Sequence, residues 1–412
     1  MTTAIVIGGG VIGSVAALAL QRRGIATRLI DPDPDWRGAS HGNAGHIAAD
    51  EIAPLASRAT LRGLPKSLFL RGGPVALPPR DIAAWLPFGL RLIAASRPDR
   101  FEAGKRELAR LMAEALPAWR RLAAEIGAPE LLREAGHFVV WDTAESAAAG
   151  RERLAAADTG TTSFRDVTEA ELSHLSTLMT PPGGAVRFAG TGQIADLGLL
   201  AEALLARFAA LGGERIQGSA RLEGGGVRLD GGRRLEADAI LIAAGPGSAA
   251  LLRPLGHKAP LIAERGYHIQ AAGAGWPEAM PSILFADRAM FVTRFRSGLR
   301  ATSFVEFGRA TSPPDPRKWA RLRSHARVLG LPFAEPVAEW MGARPTLPDY
   351  LPAIGRSGRA PGLHYAFGHQ HLGVTLAAIT GEAVAALVAG DPPAVNLAPF
   401  SLARFERANR RA

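Results

Sequence analysis

The opening fourteen residues constrain this chain most: the apolar run Ala4-Ile-Val-Ile7 stops abruptly in Gly8-Gly-Gly-Val-Ile-Gly13, and Ser14-Val-Ala-Ala-Leu-Ala-Leu20 follows. An apolar run, glycines spaced G-x-G-x-x-G and an alanine-leucine stretch predict a buried parallel strand, a tight turn and a helix. Gly8 permits the turn, Gly10 lets backbone approach a pyrophosphate, and Gly13 lets the helix pack on the strand, so that the helix N-terminus faces an anion. Val11 and Ile12 carry the amides of that first helical turn. A second strand, Ala26-Thr-Arg-Leu-Ile30, ends at Asp31, placed to meet a ribose hydroxyl. The unit predicts dinucleotide binding and leaves FAD and NAD open.

At 412 residues and 47% apolar content, the chain is large enough for two domains and too apolar for general disorder. No uninterrupted apolar run reaches the length of a membrane span, and the N-terminus carries no basic leader, so a cytoplasmic protein is expected. The absence of cysteine excludes disulfides, thiolate metal sites and a cysteinyl flavin link. The formal charge of +10 comes almost wholly from arginine, spread along the chain without a basic block, so no nucleic acid partner is expected. Residues 55–100 set Arg58, Arg62, Lys66, Arg71, Arg80, Arg91, Arg97 and Arg100 among apolar residues, with prolines expected to cut the section into short helices. It reads either as the solvated face of a second domain or as a peripheral contact with the inner face of the plasma membrane.

Farther on, Gly38-Ala-Ser-His-Gly-Asn-Ala-Gly45 suggests backbone lying against a ligand, with Ser40 and Asn43 as donors to phosphate or ribityl oxygens. Leu108 to Ile126 predicts one amphipathic helix. Gly136–Trp141 predicts a strand, and 264–310 an antiparallel sheet. Two further strand–glycine–helix units, at 239–248 and 363–376, can return to the first parallel sheet. The fold class is therefore α/β with antiparallel β: a split Rossmann-like nucleotide domain formed by 1–54, 185–262 and 340–412, and an inserted α+β domain from 55–184 and 263–339. No dense cluster of histidine and acidic residues occurs at ligand spacing, so no metal is expected.

Six blocks in order, Gly8–Gly13, Ser40–Gly45, Ala243-Ala-Gly245, Arg265-Gly-Tyr267, Gly342–Pro345 with Pro348-Asp349, and Gly368-His-Gln-His-Leu-Gly373, resemble the FAD-dependent D-amino-acid oxidase/dehydrogenase superfamily. The resemblance spans essentially the whole chain and is nearest to bacterial D-amino-acid and D-hydroxyproline dehydrogenases. It implies non-covalent FAD, with Gly8, Gly10 and Gly13 at the pyrophosphate and Asp31 at the adenosine ribose. Asn43 and Ala44 are then near the flavin, Ala244 and Gly245 line the adenosine or pyrophosphate region, and Gly368, His371, Leu372, Gly373, Val374 and Thr375 run along the ring and ribityl chain. It further implies that Arg344 clamps a substrate carboxylate, a role suited to a guanidinium fork, and that Tyr267 lines the same site. Among His41, His46, His268, His369 and His371, His369 is the first choice for a chemical role and His268 the second.

The implied reaction is oxidation of a D-amino acid, or a cyclic or secondary one such as D-proline or D-hydroxyproline, to its imine and thence to a 2-oxo acid. The implied electron acceptor is a quinone or another acceptor. An oxidase passing electrons from an amine or a 2-hydroxy acid to O2 stays open, as does a basic RNA-binding flavoprotein.

Overall fold

The computed structural model describes residues 2–406, and two sheets carry its architecture. The first has six strands in the spatial order Glu214–Gln217, Ala26–Asp31, Thr3–Ile7, Ala239–Ile242, Leu363–Phe367 and Ala353–Arg356. Its first five strands are parallel, with Ile5 beside Ile240 and Ile240 beside Leu363; only the last pair is antiparallel. All three strand–glycine–helix units thus return to one sheet with their turns at the same end. The central strands read as continuous apolar runs because both faces are covered. On one face the opening helix Val11–Arg22 packs against the closing helix Gly373–Ala389, where Gly381 brings the two backbones together at Val15. The closing helix lies in the 20-residue stretch Gln370–Ala389, which has the length and apolarity of a membrane span, but it is mostly buried here as a core helix.

The second sheet has nine strands. Its long antiparallel centre is Ala338–Thr346, Ile262–Ala271, Gly298–Gly308 and Met290–Phe295, extended through Ser282–Phe285 to His137–Trp141, Gly184–Ala189 and Ser163–Asp166. The sheet expected over 264–310 is its middle. The expected boundaries at 185 and 340 each cut into this sheet, because Gly184–Ala189 and Ala338–Thr346 are strands of it.

Two helical expectations are corrected. The stretch 108–126 is not one helix: Pro98–Ala113 ends and Ala115–Glu125 begins at Glu114. Pro117 accounts for the break, since it has no N–H to give and its ring would crowd the carbonyl of Ala113, whereas the first turn of a new helix tolerates it. These helices also pack on the nucleotide side, not in the inserted domain: Leu108, Leu111, Met112 and Trp119 share a core with Val15 and Leu376, and Trp119 Nε1–H donates to Val374 O at 2.9 Å. In the 55–100 section, Pro65 and Pro87 lie inside the helices Arg58–Ser67 and Ile82–Ala95 and do not terminate them. Each ring faces solvent, where one missing backbone bond is tolerable.

Candidate active site

A cavity of about 760 Å³ runs from Asp31 and Ser219, past Gly8–Ile12 and Ser40, to Arg344 and His369–His371, between the two sheets. At its near end, the glycines behave as their spacing requires. Gly8 has φ +109°, and a Cβ there would sit 2.4 Å from Ala243 O; a Cβ on Gly13 would sit 1.7 Å from Gly8 O. Only glycine lets strand, turn and helix close up here. Gly10 and Leu372, the residues preceding the opening and closing helices, make no side-chain cap hydrogen bond, so both N-termini present amides at the cavity. Ser40 Oγ accepts from Val11 N at 3.0 Å, which sets its hydroxyl at the helix start. Asp31 accepts from the backbone N–H groups of Gly9 and Asp33. A cradle that any Cβ would fill, two helix N-termini and a carboxylate at the end of the second strand fit an FAD pyrophosphate and its adenosine ribose.

The 38–45 loop is held by a residue that the sequence did not single out. Arg300, buried on the second sheet, donates to His41 O and Asn43 O, both at 2.7 Å, and to Gln270 Oε1. Asn43 Oδ1 in turn accepts from Gly45 N at 2.7 Å. Burial pulls the Arg300 pKa down to about 10, leaving the guanidinium charged at neutral pH.

At the far end, the strand Ile262–Ala271 presents alternate residues to the cavity. Glu264 faces it; a Cβ on Gly266 would strike the Arg344 guanidinium at 2.2 Å, so glycine there is what gives Arg344 its seat. Arg344, on the neighbouring strand, donates through Nη1 to Glu264 Oε1 at 3.3 Å and Phe304 O at 3.2 Å. Glu264 is fully buried and also accepts from Thr346 Oγ1 and Tyr350 OH, each at 3.1 Å. Burial and the facing carboxylate push the Tyr350 pKa far up, so its hydroxyl remains a donor. The Nε–Nη2 edge of Arg344 makes no hydrogen bond among the described residues and is the edge available to a ligand. Phe291, Phe304 and Trp340 supply apolar wall.

The same alternation corrects Tyr267. One residue out of phase with Glu264 and Gly266, it points through the sheet into a buried charged network. There its hydroxyl donates to Glu306 Oε1 at 3.0 Å and accepts from Asp315 N at 3.1 Å, beside Lys318. It does not line the cavity. Tyr267→Phe is therefore expected to lower stability by about 1–3 kcal/mol, the cost of unpairing a buried partner, while steady-state KM for substrate stays within twofold of wild type. His268 is corrected for a different reason: it shares the phase of Glu264 and Gly266 but does not line the cavity, being stacked on Trp340 with ring centroids 5.0 Å apart, and burial together with Arg300 keeps its imidazole neutral.

His369 does line the cavity. Burial lowers its pKa to about 3, Nε2 pairs with Thr380 Oγ1 at 3.1 Å, and Nδ1 is buried without a partner. It thus presents a neutral imidazole to the cavity and not an imidazolium acid at neutral pH. For His371, burial opposes the charged form, but Glu51 beside it outweighs that and raises the pKa above the ordinary histidine value. Of the residues expected at the cofactor, Gly8, Gly10, Val11, Ile12, Asp31, Ser40, Asn43, Ala44, Ala244, Gly245, His371, Gly373, Val374 and Thr375 line the cavity. Gly13, Gly368 and Leu372 do not. Gly13 sets close backbone packing against Gly8, Gly368 takes a positive φ against the Leu347 side chain, and Leu372 turns into the core.

Backbone strain gathers here too. Among the described residues, the non-glycine positions with positive φ are Trp36, Ala289, Phe304, Tyr350 and Gln370; four line the cavity and the fifth, Tyr350, binds Glu264. Such conformations cost about 1–3 kcal/mol each and persist where the surroundings impose them.

A parallel sheet whose glycine turn and paired helix N-termini open into an elongated cavity, closed at the far end by an arginine on a second sheet, has the build of a dinucleotide-dependent enzyme. The FAD dependent oxidoreductase (DAO) family model matches residues 3–387. The D-amino-acid oxidase of Bradyrhizobium diazoefficiens is 30% identical, the match covering 97% of this chain and 98% of that protein. D-amino acid dehydrogenase 2 of Ralstonia nicotianae is also 30% identical, covering 97% and 99%. Among solved structures, glycine oxidase of Geobacillus kaustophilus shares the fold with a TM-score of 0.70 at 22% identity, covering 98% of this chain and 99% of that one. The chain belongs to the FAD dependent oxidoreductase family, and it is an oxidoreductase that uses FAD.

Proposed function

We propose that the protein oxidises a D-amino acid, or a cyclic or secondary one such as D-proline or D-hydroxyproline, to its imine, which water converts to the 2-oxo acid where the imine is not internal. The observation that carries this reading is the unpaired Nε–Nη2 edge of Arg344 at the end of an apolar pocket. Two parallel N–H donors fit a carboxylate, and Glu264 fixes the plane in which they are offered. Bound FAD supplies the two-electron acceptor for carbon–nitrogen oxidation. The chain's own part is to hold the carboxylate, to exclude water with Phe291, Phe304 and Trp340, and to fix substrate orientation, the contribution by which a rigid site lowers a barrier. The names of the two relatives support the D configuration.

The test is dye-coupled turnover with paired D- and L-amino acids, D-proline, D-hydroxyproline and 2-hydroxy acids. D-amino acids are expected to have the highest kcat/KM; a preference for 2-hydroxy acids or for L-enantiomers would sink the reading.

For the acceptor, a quinone or similar carrier in a membrane is supported by the 55–100 face. Leu70 is 86% exposed and Leu90 62%, and Ile82, Leu86, Leu90 and Ile93 form one solvent-facing stripe along the helix Ile82–Ala95. The eight basic residues of the section are all exposed, whereas of its acids Asp81 is buried and Asp99 alone is exposed. Arg80 and Arg97 lie near Asp81 and Asp99, and the other six have no carboxylate within salt-bridge distance among the described residues; an apolar stripe beside such a surplus of cations suits an anionic bilayer surface. The protein is expected to sediment with phosphatidylglycerol vesicles and not with phosphatidylcholine ones, and Leu86→Glu/Leu90→Glu to abolish this. It is also expected to reduce a dye quickly with little peroxide. Equal peroxide and substrate turnover would point instead to an oxidase.

A further inference from the structure

Beside the far end of the cavity the fold assembles a trio that no spacing in the sequence displays. His46 and Asp50 come from the segment after the glycine loop, and His137 from a strand of the second sheet. One ligand atom of each lies within 4.8 Å of the other two. We propose that His46, Asp50 and His137 bind one zinc-class divalent cation.

The hydrogen bonds around the rings aim them. His46 Nδ1 lies 3.1 Å from Gly192 O. A carbonyl only accepts, so Nδ1 carries the proton and the neutral ring bears its lone pair on Nε2. His137 Nδ1 lies 2.9 Å from Thr191 Oγ1, in the same turn, which leaves its Nε2 as the free nitrogen. The Thr191–Gly192 turn thus orients both imidazoles through their second nitrogens, the arrangement by which partners of ligating histidines fix ring and tautomer. The third member is Asp50, whose Oδ1 is buried without any hydrogen-bond partner and lies 3.8 Å from His46 Nε2. The lone pairs of a carboxylate and a neutral imidazole facing one another repel, and a positive charge between them, a ring proton or a metal ion, removes the repulsion. At 3.8 Å the pair is too far apart to share a proton in an ordinary hydrogen bond of about 2.7–3.2 Å. Two ligands of one zinc, bonded at ~2.0–2.2 Å, stand about 3.3–3.5 Å apart, so contraction of under an ångström brings this pair to ligand spacing, and the His137 ligand atom, within 4.8 Å of both, completes the set by moving inward. Two imidazoles and a carboxylate suit zinc over calcium or magnesium, which prefer oxygen. The set leaves a coordination position open, and His46 itself lines the cavity. The ion would also join the loop that follows the cofactor cradle to the second sheet.

The test uses the full-length, FAD-loaded, tag-free protein, stripped with EDTA, exposed to micromolar Zn²⁺, desalted and assayed by elemental mass spectrometry. About one zinc per chain is expected, with melting temperature raised by about 3 °C or more in the presence of Zn²⁺. His137→Gln and Asp50→Asn are expected to retain less than a tenth of that zinc, their FAD content reporting whether they fold. Thr191→Val, which keeps all three ligands, is expected to weaken zinc binding by about 10–100-fold. Wild-type protein that retains no zinc overturns the proposal, leaving only a His46–Asp50 ion pair. So does full zinc in His137→Gln, or unchanged affinity in Thr191→Val.

Discussion

Arg344→Ala is expected to raise KM for an amino-acid substrate by about 10²–10³-fold while FAD stays bound, because two charge-assisted hydrogen bonds of about 1.5–3 kcal/mol each are lost at once. The cofactor is spared because its cradle lies at the opposite end of the cavity. Arg344→Lys should recover only part of the loss, since an ammonium cannot present the Nε–Nη2 fork. The alanine variant should also melt lower, for Glu264 would keep Thr346 and Tyr350 as donors but lose the guanidinium that pairs with it. Steady-state kinetics with the FAD-to-protein absorbance ratio separates the two effects. Unchanged KM would remove Arg344 from the substrate site.

The second large effect is expected at Gly13. An alanine methyl there would stand 1.7 Å from Gly8 O, a backbone atom in the turn itself, so the clash cannot be relieved by a rotamer. Either the helix lifts from the strand or the turn deforms, and both move the amides that face the cavity. Gly13→Ala is expected to purify with at least tenfold less FAD and to lose about 1–3 kcal/mol of stability or more, typical of overpacking. Gly63→Ala, where a Cβ meets nothing within 4 Å, is the matched control and should keep its full FAD. Wild-type FAD content in Gly13→Ala would show that the turn does not hold the cofactor as described.

What was legible in the sequence follows the range of the forces involved. The three strand–glycine–helix units declare themselves locally, so the parallel sheet and its glycine turn could be read from short stretches, and the block match to a known family singled out Arg344, which the structure places in the cavity. Side-chain direction in the strand Ile262–Ala271 could not. Tyr267 and Glu264 differ by an odd number of positions, and which parity faces the cavity is set by Ala338–Thr346 and Gly298–Gly308 pairing on either side, with a register shift between Arg265 and Tyr267. Glu264, the buried partner of Arg344, was missed for that reason, although Gly266 two residues on is the mark of a crowded face. The amphipathic stripe on 108–126 showed that the segment packs, but a stripe does not name its partner, and the closing helix took it. Arg300, His46 and His137 act across long separations in the chain, where no local pattern reaches.

Anaerobic flavin bleaching tests the central claim most directly. Wild-type protein mixed with a D-amino acid in the absence of oxygen and dye should lose its flavin visible band within seconds, with the L-enantiomer and 2-hydroxy acids far slower, and Arg344→Ala should need far higher substrate for the same rate. A flavin that stays oxidised with every amino acid, or that bleaches in Arg344→Ala at wild-type substrate concentrations, would contradict the account.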